Sequence, residues 1–85
     1  MLVYLTAACP YCQAATRLLE KKGVTDLETV RVDLEPRRRA EMQARSGRWT
    51  VPQIWIGARH VGGFDELHAL ESDGALDSML EAQKT

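Results

Sequence analysis

Apolar residues recur along this chain at two spacings, and the order of those spacings predicts an order of elements. Leu2-Val3-Tyr4-Leu5 is a short apolar run with β-branched and aromatic members, the pattern of a buried strand. From Pro10 onward, Ala14, Ala15, Leu18 and Leu19 share one helical face while Arg17, Glu20 and Lys21 fall elsewhere. Lys21 and Lys22 suit the C-terminal dipole of that helix, and Gly23 supplies its stop. Val30-Arg31-Val32-Asp33-Leu34 alternates as a strand, with Val30, Val32 and Leu34 on one side. Pro36 opens a second helix running to about Arg45, with Gly47 as its C-cap. The apolar face of this helix is thin: Ala40, Met42 and Ala44.

Val51-Pro52-Gln53-Ile54-Trp55-Ile56 reads as a third strand that starts beside a proline. A turn at Gly57-Ala58 and a short strand at Arg59-His60-Val61 complete a hairpin. Gly62-Gly63 is a turn, and Phe64, Leu67 and Leu70 mark the packing face of a third helix ending near Gly74. Asp65 and Glu66 lie in its first turn, where carboxylates are favoured. Leu76, Met79 and Leu80 add one or two helical turns against the core. The order β-α-β-α-β-β-α implies a parallel pair across the first crossover and an antiparallel edge from the hairpin. The expected class is α/β, a four-stranded mixed sheet with helices on both faces.

Cys9 and Cys12 are the two cysteines of the chain, and they stand where the first strand gives way to the first helix. A Cys-x-x-Cys pair at such a junction suits thiol–disulfide exchange. The first sulfur falls at the helix N-terminus, where free N–H groups and the helix dipole favour an anion. The second lies one turn inside, close enough to attack a mixed disulfide on the first. Pro10 fits the first turn, because its missing N–H has no intrahelical partner there. Two other readings use the same residues, a pair of buried thiols or half of a zinc site. A structural zinc takes four ligands. His60 and His68 stand too far apart for the usual histidine pair, and no second Cys-x-x-Cys follows.

Composition narrows the classes further. Eighty-five residues, 45% of them hydrophobic, make one domain spanning residues 1–85. Two cysteines so near each other close too small a loop to staple a fold, so they point to chemistry. A net charge of -1 gives no general attraction to nucleic acid or to an anionic membrane, and the run Arg37-Arg38-Arg39 is balanced by acidic neighbours. No stretch approaches a membrane span, and the N-terminus lacks the basic region of a signal peptide. The expectation is a cytoplasmic monomer whose thiols stay reduced and exchangeable.

With these features in place, the chain resembles the glutaredoxins, the glutathione-using branch of the thioredoxin fold, along nearly its full length. Cys9-Pro10-Tyr11-Cys12, the Ser46-Gly47 helix end, Thr50-Val51-Pro52 before a strand, and Gly62-Gly63-Phe64-Asp65 opening a helix carry the likeness. It is greatest to the dithiol class of bacterial type. The resemblance implies that Cys9 is the nucleophile and Cys12 the resolving thiol. It implies a cis Pro52, with Thr50, Val51 and Pro52 beside the reactive sulfur and the Val51 backbone free to pair with glutathione. It assigns the γ-glutamyl end of glutathione to Gly63, Phe64 and Asp65, and the glycine carboxylate to Arg39. Asp65 also has an ordinary helix-capping role open to it, and Arg39 could be one solvated arginine among three. Tyr4 and Tyr11 flank the site in the family, although Tyr4 also suits a core.

Two positions depart from the family pattern. Thr6 stands where a lysine usually precedes the nucleophile by three positions, and Phe64 stands where a small residue or cysteine is common. Trp49 and Trp55 read first as packing, with Trp49 also suited to the rim of a docking surface, and His60 and His68 as exposed polar residues. The function implied is a glutathione-dependent thiol–disulfide oxidoreductase acting on glutathione mixed disulfides and protein disulfides. No tightly bound cofactor or metal is expected, with glutathione as co-substrate. The alternatives are a carrier of a [2Fe–2S] cluster ligated by glutathione, or a redoxin reduced by a flavoprotein reductase. Pro10-Tyr11 and Thr6 count against the first, and Gly62-Gly63-Phe64-Asp65 against the second.

Overall fold

Successive residues of a strand face opposite sides of a sheet, and here that alternation builds two apolar clusters. In the computed structural model, which describes residues 1–83, β1 (Leu2–Leu5) lies between β2 (Glu28–Arg31) and β3 (Gln53–Ile56), and β4 (Arg59–Gly62) forms the far edge. β1 runs parallel to β2 and antiparallel to β3, and β3 and β4 form an antiparallel hairpin. Val3, Ile54 and Ile56 cluster with Ala15 and Leu19 of α1 (Pro10–Lys21), Leu67 of α3 (Phe64–Ser72) and Leu76 of α4 (Ala75–Gln83). Tyr4 and Trp55 cluster on the other face with Val30, Val32 and Met42, the last from α2 (Pro36–Ser46). The mixed sheet covered on both faces is thus as expected. A full nine-residue α4 replaces the turn or two read around Leu76, which is completely buried.

Strand boundaries differ from expectation in β2 and β3, and Gly62, read as part of a turn, ends β4. The alternation through Val30, Val32 and Leu34 predicted a strand over 30–34, but β2 covers Glu28–Arg31. A parallel strand lasts only as long as its partner. β1 ends at Leu5, opposite Arg31, and after Val32 N–H donates to the Leu5 carbonyl the chain closes a turn from Leu34 N–H to the Arg31 carbonyl. Val32 stays in the core while Leu34 is 67% exposed. β3 begins at Gln53 and not Val51, because Val51 and Pro52 are joined by a cis peptide outside the ladder.

Helix α1 places the cysteines. Its C-terminus closes in a Schellman pair: Val24 N–H donates to the Leu19 carbonyl at 3.1 Å and Gly23 N–H to the Glu20 carbonyl at 3.0 Å. Gly23 has φ 86°, a conformation that costs glycine little. With Ala15 and Leu19 buried against the sheet, the helix axis is set and its N-terminus is held at the end of β1.

Candidate active site

Cys9 is the N-cap of α1. Its sulfur accepts from the Cys12 N–H at 3.1 Å, and its carbonyl takes the first helical bond from Gln13 N–H at 3.1 Å. A sulfur in this position occupies the place of a capping oxygen and meets the positive end of the helix. Cys9 is half-buried, whereas Cys12 is 2% exposed. Burial pushes the Cys12 thiol up to about 12, the hydrogen bond with Cys9 adds to it, and a backbone contact from Thr6 opposes both. The pair is therefore unequal. One sulfur faces outward at a helix N-terminus, and the other waits as a protonated thiol in the core.

The second wall is the segment between α2 and β3. Gly47, with φ 72°, ends α2, and Ser46 Oγ donates to the Met42 carbonyl at 2.7 Å and accepts from Arg48 N–H at 3.0 Å. The chain then turns through Thr50, Val51 and cis Pro52, and the Val51 carbonyl comes 3.9 Å from Cys9 Sγ. The third wall is the start of α3. Gly63 is its N-cap, and Glu66 Oε1 reaches back to accept from Gly63 N–H at 3.0 Å. That carboxylate fills the space a side chain would need at Gly62, where φ is 114°. Arg48 pairs with Glu66 and so joins the second wall to the third.

Between these walls lies an open pocket of about 270 Å³. Of the residues read from the sequence, Tyr11, Thr50, Val51, Pro52, Gly63, Phe64 and Asp65 line it. Tyr11 is 63% exposed and its ring lies 6.2 Å from that of Phe64. Arg39 is not in the pocket wall. Its guanidinium sits 5.0 Å over the Trp49 ring, and Nη2 is 3.4 Å from the Trp49 carbonyl. Arg48 and Glu66 line the pocket and were not singled out from the sequence. Glu66 had a legible signal, a glutamate three residues after an N-cap; Arg48 had none.

Three aromatic positions also resolve. Tyr4 is a core residue with no exposure, its hydroxyl donating to Glu41 and accepting from Arg45 Nη1 at 3.0 Å. His68 is exposed, with its ring 5.8 Å from Phe64. His60 corrects the expectation of an exposed residue. It is half-buried, because the bulge in the β3–β4 ladder pairs it with Trp55 and stacks the rings 4.6 Å apart. Among the described residues, no group of three or more His, Cys, Asp or Glu side chains is placed to hold a metal ion, and no helix is long and apolar enough to cross a membrane.

Comparison with known proteins agrees with this geometry. A family model described as glutaredoxin matches residues 1–61. A glutaredoxin of Pseudomonas aeruginosa is 52% identical over 82 residues, covering 96% of each chain. Glutaredoxin 3 of Escherichia coli is 47% identical over 79 residues, covering 93% of this chain and 94% of that protein. Among solved structures, a buckwheat glutaredoxin–glutathione complex superposes with a TM-score of 0.90 at 29% identity, over 98% of this chain and 77% of the other. A glutaredoxin from Brucella melitensis superposes at 0.81 with 51% identity, over 93% and 85%. A capped, outward cysteine with a buried partner one turn on, set in this thioredoxin-like fold and matched over nearly the whole chain, places the protein in the glutaredoxin family of thiol–disulfide oxidoreductases.

Proposed function

We propose that the protein uses glutathione to reduce glutathione mixed disulfides and protein disulfides, with Cys9 as nucleophile and Cys12 as resolving thiol. The observation that carries this reading is the pocket itself. It runs from the Val51–Pro52 wall to the first turn of α3, and the Cys9 sulfur stands beside the Val51 carbonyl. A tripeptide disulfide-bonded to Cys9 has an extended backbone to lay along Val51. Its γ-glutamyl carboxylate meets the first-turn N–H groups of α3 near Phe64, and its amine meets Asp65. Arg48 is a cation in the pocket wall, paired with Glu66 at the α3 side, and Arg39, held over Trp49, remains the residue assigned to the glycine carboxylate.

The Cys9 thiolate attacks the glutathione sulfur of a mixed disulfide, the client leaves as a thiolate and takes a proton, and Cys9 becomes disulfide-bonded to glutathione. A second glutathione thiolate attacks the bound glutathione sulfur, releasing oxidised glutathione and restoring the Cys9 thiolate. With a protein disulfide, the Cys9 thiolate attacks one client sulfur and the other leaves as a thiolate. Cys12, deprotonated, then attacks the Cys9 sulfur, freeing the client dithiol and leaving a Cys9–Cys12 disulfide. Two glutathiones reduce that disulfide, with release of oxidised glutathione. The hydrogen bond and charge from Cys9 that help raise Cys12 disappear once Cys9 is in a mixed disulfide, which eases Cys12 ionisation at the step that needs it. The protein acts as a monomer in the cytoplasm, on glutathionylated or disulfide-containing proteins, with glutathione as co-substrate.

Turnover of a small glutathione mixed disulfide, coupled through glutathione reductase and NADPH, tests the reading. Wild type should turn over, Cys9→Ser should be inactive, and Cys12→Ser should keep this activity while losing reduction of protein disulfides. An active Cys9→Ser beside an inactive Cys12→Ser would reverse the two roles. No turnover by wild type with glutathione, alongside reduction by a flavoprotein reductase, would sink the glutathione dependence.

A further inference from the structure

Gln53 is completely buried at the start of β3, directly after the Val51–Pro52 wall. Its Nε2 donates to the Thr50 carbonyl at 3.0 Å and lies 3.3 Å from Thr50 Oγ1. The carboxamide reaches back past Val51 and Pro52 and ties the two ends of that segment together. Its Oε1 stands 2.8 Å from His60 Nε2. A backbone carbonyl can only accept, so the Thr50 side receives the amide NH2, and His60 must then offer an N–H to Oε1. The His60 ring is held in turn by Trp55, its partner across the β3–β4 ladder. Trp55 is wedged edge-on against Tyr4 at 5.4 Å, with the Arg45 guanidinium 4.5 Å over its ring. Neither Gln53 nor His60 lines the pocket.

We infer that Gln53 and His60 are positioning residues for the wall that faces Cys9: His60 orients the Gln53 carboxamide, and the carboxamide holds Thr50, Val51 and Pro52. Pro52 is buried and Val51 packs against the core, but Thr50 at the other end of the segment is exposed, so packing anchors one end and the carboxamide ties the other to it. The Val51 carbonyl 3.9 Å from Cys9 Sγ is the contact that any shift would lose first. Removing the His60 donor leaves a buried Oε1 without its partner and frees the carboxamide to rotate away from Thr50. A loosened wall weakens pairing with the substrate backbone more than it slows exchange at sulfur. The choice of substrate rests on the glutathione-dependent reading proposed above.

The test compares His60→Phe with His60→Gln in steady-state turnover of a small glutathione mixed disulfide. Phenylalanine keeps a ring against Trp55 and deletes the donor, while glutamine restores an N–H at the reach of Nε2. In His60→Phe the KM for the mixed disulfide should rise at least threefold (on the order of a half-unit in log K), with kcat within about twofold of wild type. In His60→Gln the KM should return to within about twofold of wild type. A merely structural role would lower the melting temperature of both variants and leave KM alone. Unchanged KM in a folded His60→Phe, or equal impairment in His60→Gln, overturns the inference. A His60→Phe protein that fails to fold hands the decision to nitrogen-15 NMR of wild type, where the His60 ring should be the Nε2–H tautomer and the Gln53 amide protons should exchange slowly. An Nδ1–H tautomer overturns the inference. A wild-type protein that does not turn over overturns the glutathione reading instead, and the NMR measurement still decides this one.

Discussion

Asp65 sits at the second position of α3, behind the N-cap Gly63, and the carboxylate that reaches back to Gly63 N–H belongs to Glu66. The capping role open to Asp65 in the sequence is therefore filled by its neighbour. What remains to Asp65 in stability is its charge against the helix dipole, about 0.3–1 kcal/mol at an exposed site. Its side chain lines the pocket, where a ligand amine would need a carboxylate. Asp65→Asn keeps the shape and removes the charge. It should change the unfolding free energy in urea by less than about 1 kcal/mol and raise the KM for a glutathione mixed disulfide severalfold. A stability loss with unchanged KM would return Asp65 to a role in the helix alone.

Helix α2 shows how an element can pack with little apolar surface. Met42 is its one buried side chain, while Ala40 and Ala44 are exposed. Leu2, Val51 and Arg45 cover more of that sheet face. Arg45 lays its guanidinium over the Trp55 ring and donates to the Tyr4 hydroxyl. Met42→Ala should cost about 2–5 kcal/mol, the range for truncating a fully buried side chain. The midpoint of chemical denaturation measures this. A loss below about 1 kcal/mol would mean that Arg45, and not Met42, holds α2. Because α2 runs directly into Gly47 and the Arg48–Pro52 segment, the position of this helix also reaches the site.

At the scale of the whole molecule, three groups among the described residues titrate below their ordinary values. Hydrogen bonds from Arg31 hold the Asp33 carboxyl down to about 2. Gly63 N–H and Arg48 lower Glu66, and burial first, then the Arg48 charge, lowers His60. In each case the unfolded chain binds its proton at a higher pH than the folded one, so stability falls as pH falls. The His60 contribution is fully present above about pH 6.5 and is lost below it; the carboxylate contributions are lost from about pH 4 downward. Cys12 acts in the opposite sense. Its thiol is raised to about 12, so its contribution is lost as pH rises past the ordinary cysteine range. Denaturation midpoints should peak near neutrality and decline toward acid, and His60→Gln should flatten the first part of that decline. A wild-type profile flat between about pH 7 and 5 would mean that His60 titrates as it does in the unfolded chain.

What the sequence determined by itself was local. The spacing of Cys9 and Cys12, the apolar face of α1 with its stop at Gly23, the hairpin and the start of α3 after Gly63 were all legible, because periodicity, capping and turn chemistry depend on residues a few positions apart. From these came the fold class, and the resemblance to the glutaredoxins that they carry supplied seven of the pocket residues. The extent of β2 was not legible, since a parallel strand ends where β1 ends and not where its own alternation stops. Arg39 lies over Trp49 outside the pocket lining, and Arg48 lines the pocket paired with Glu66, eighteen positions away. His60 read as an exposed polar residue, and Gln53 drew no reading beyond its place in the third strand. The tertiary structure decided both, because Gln53 is completely buried in β3 and its amide, out of water, takes Thr50 and His60 as hydrogen-bonding partners.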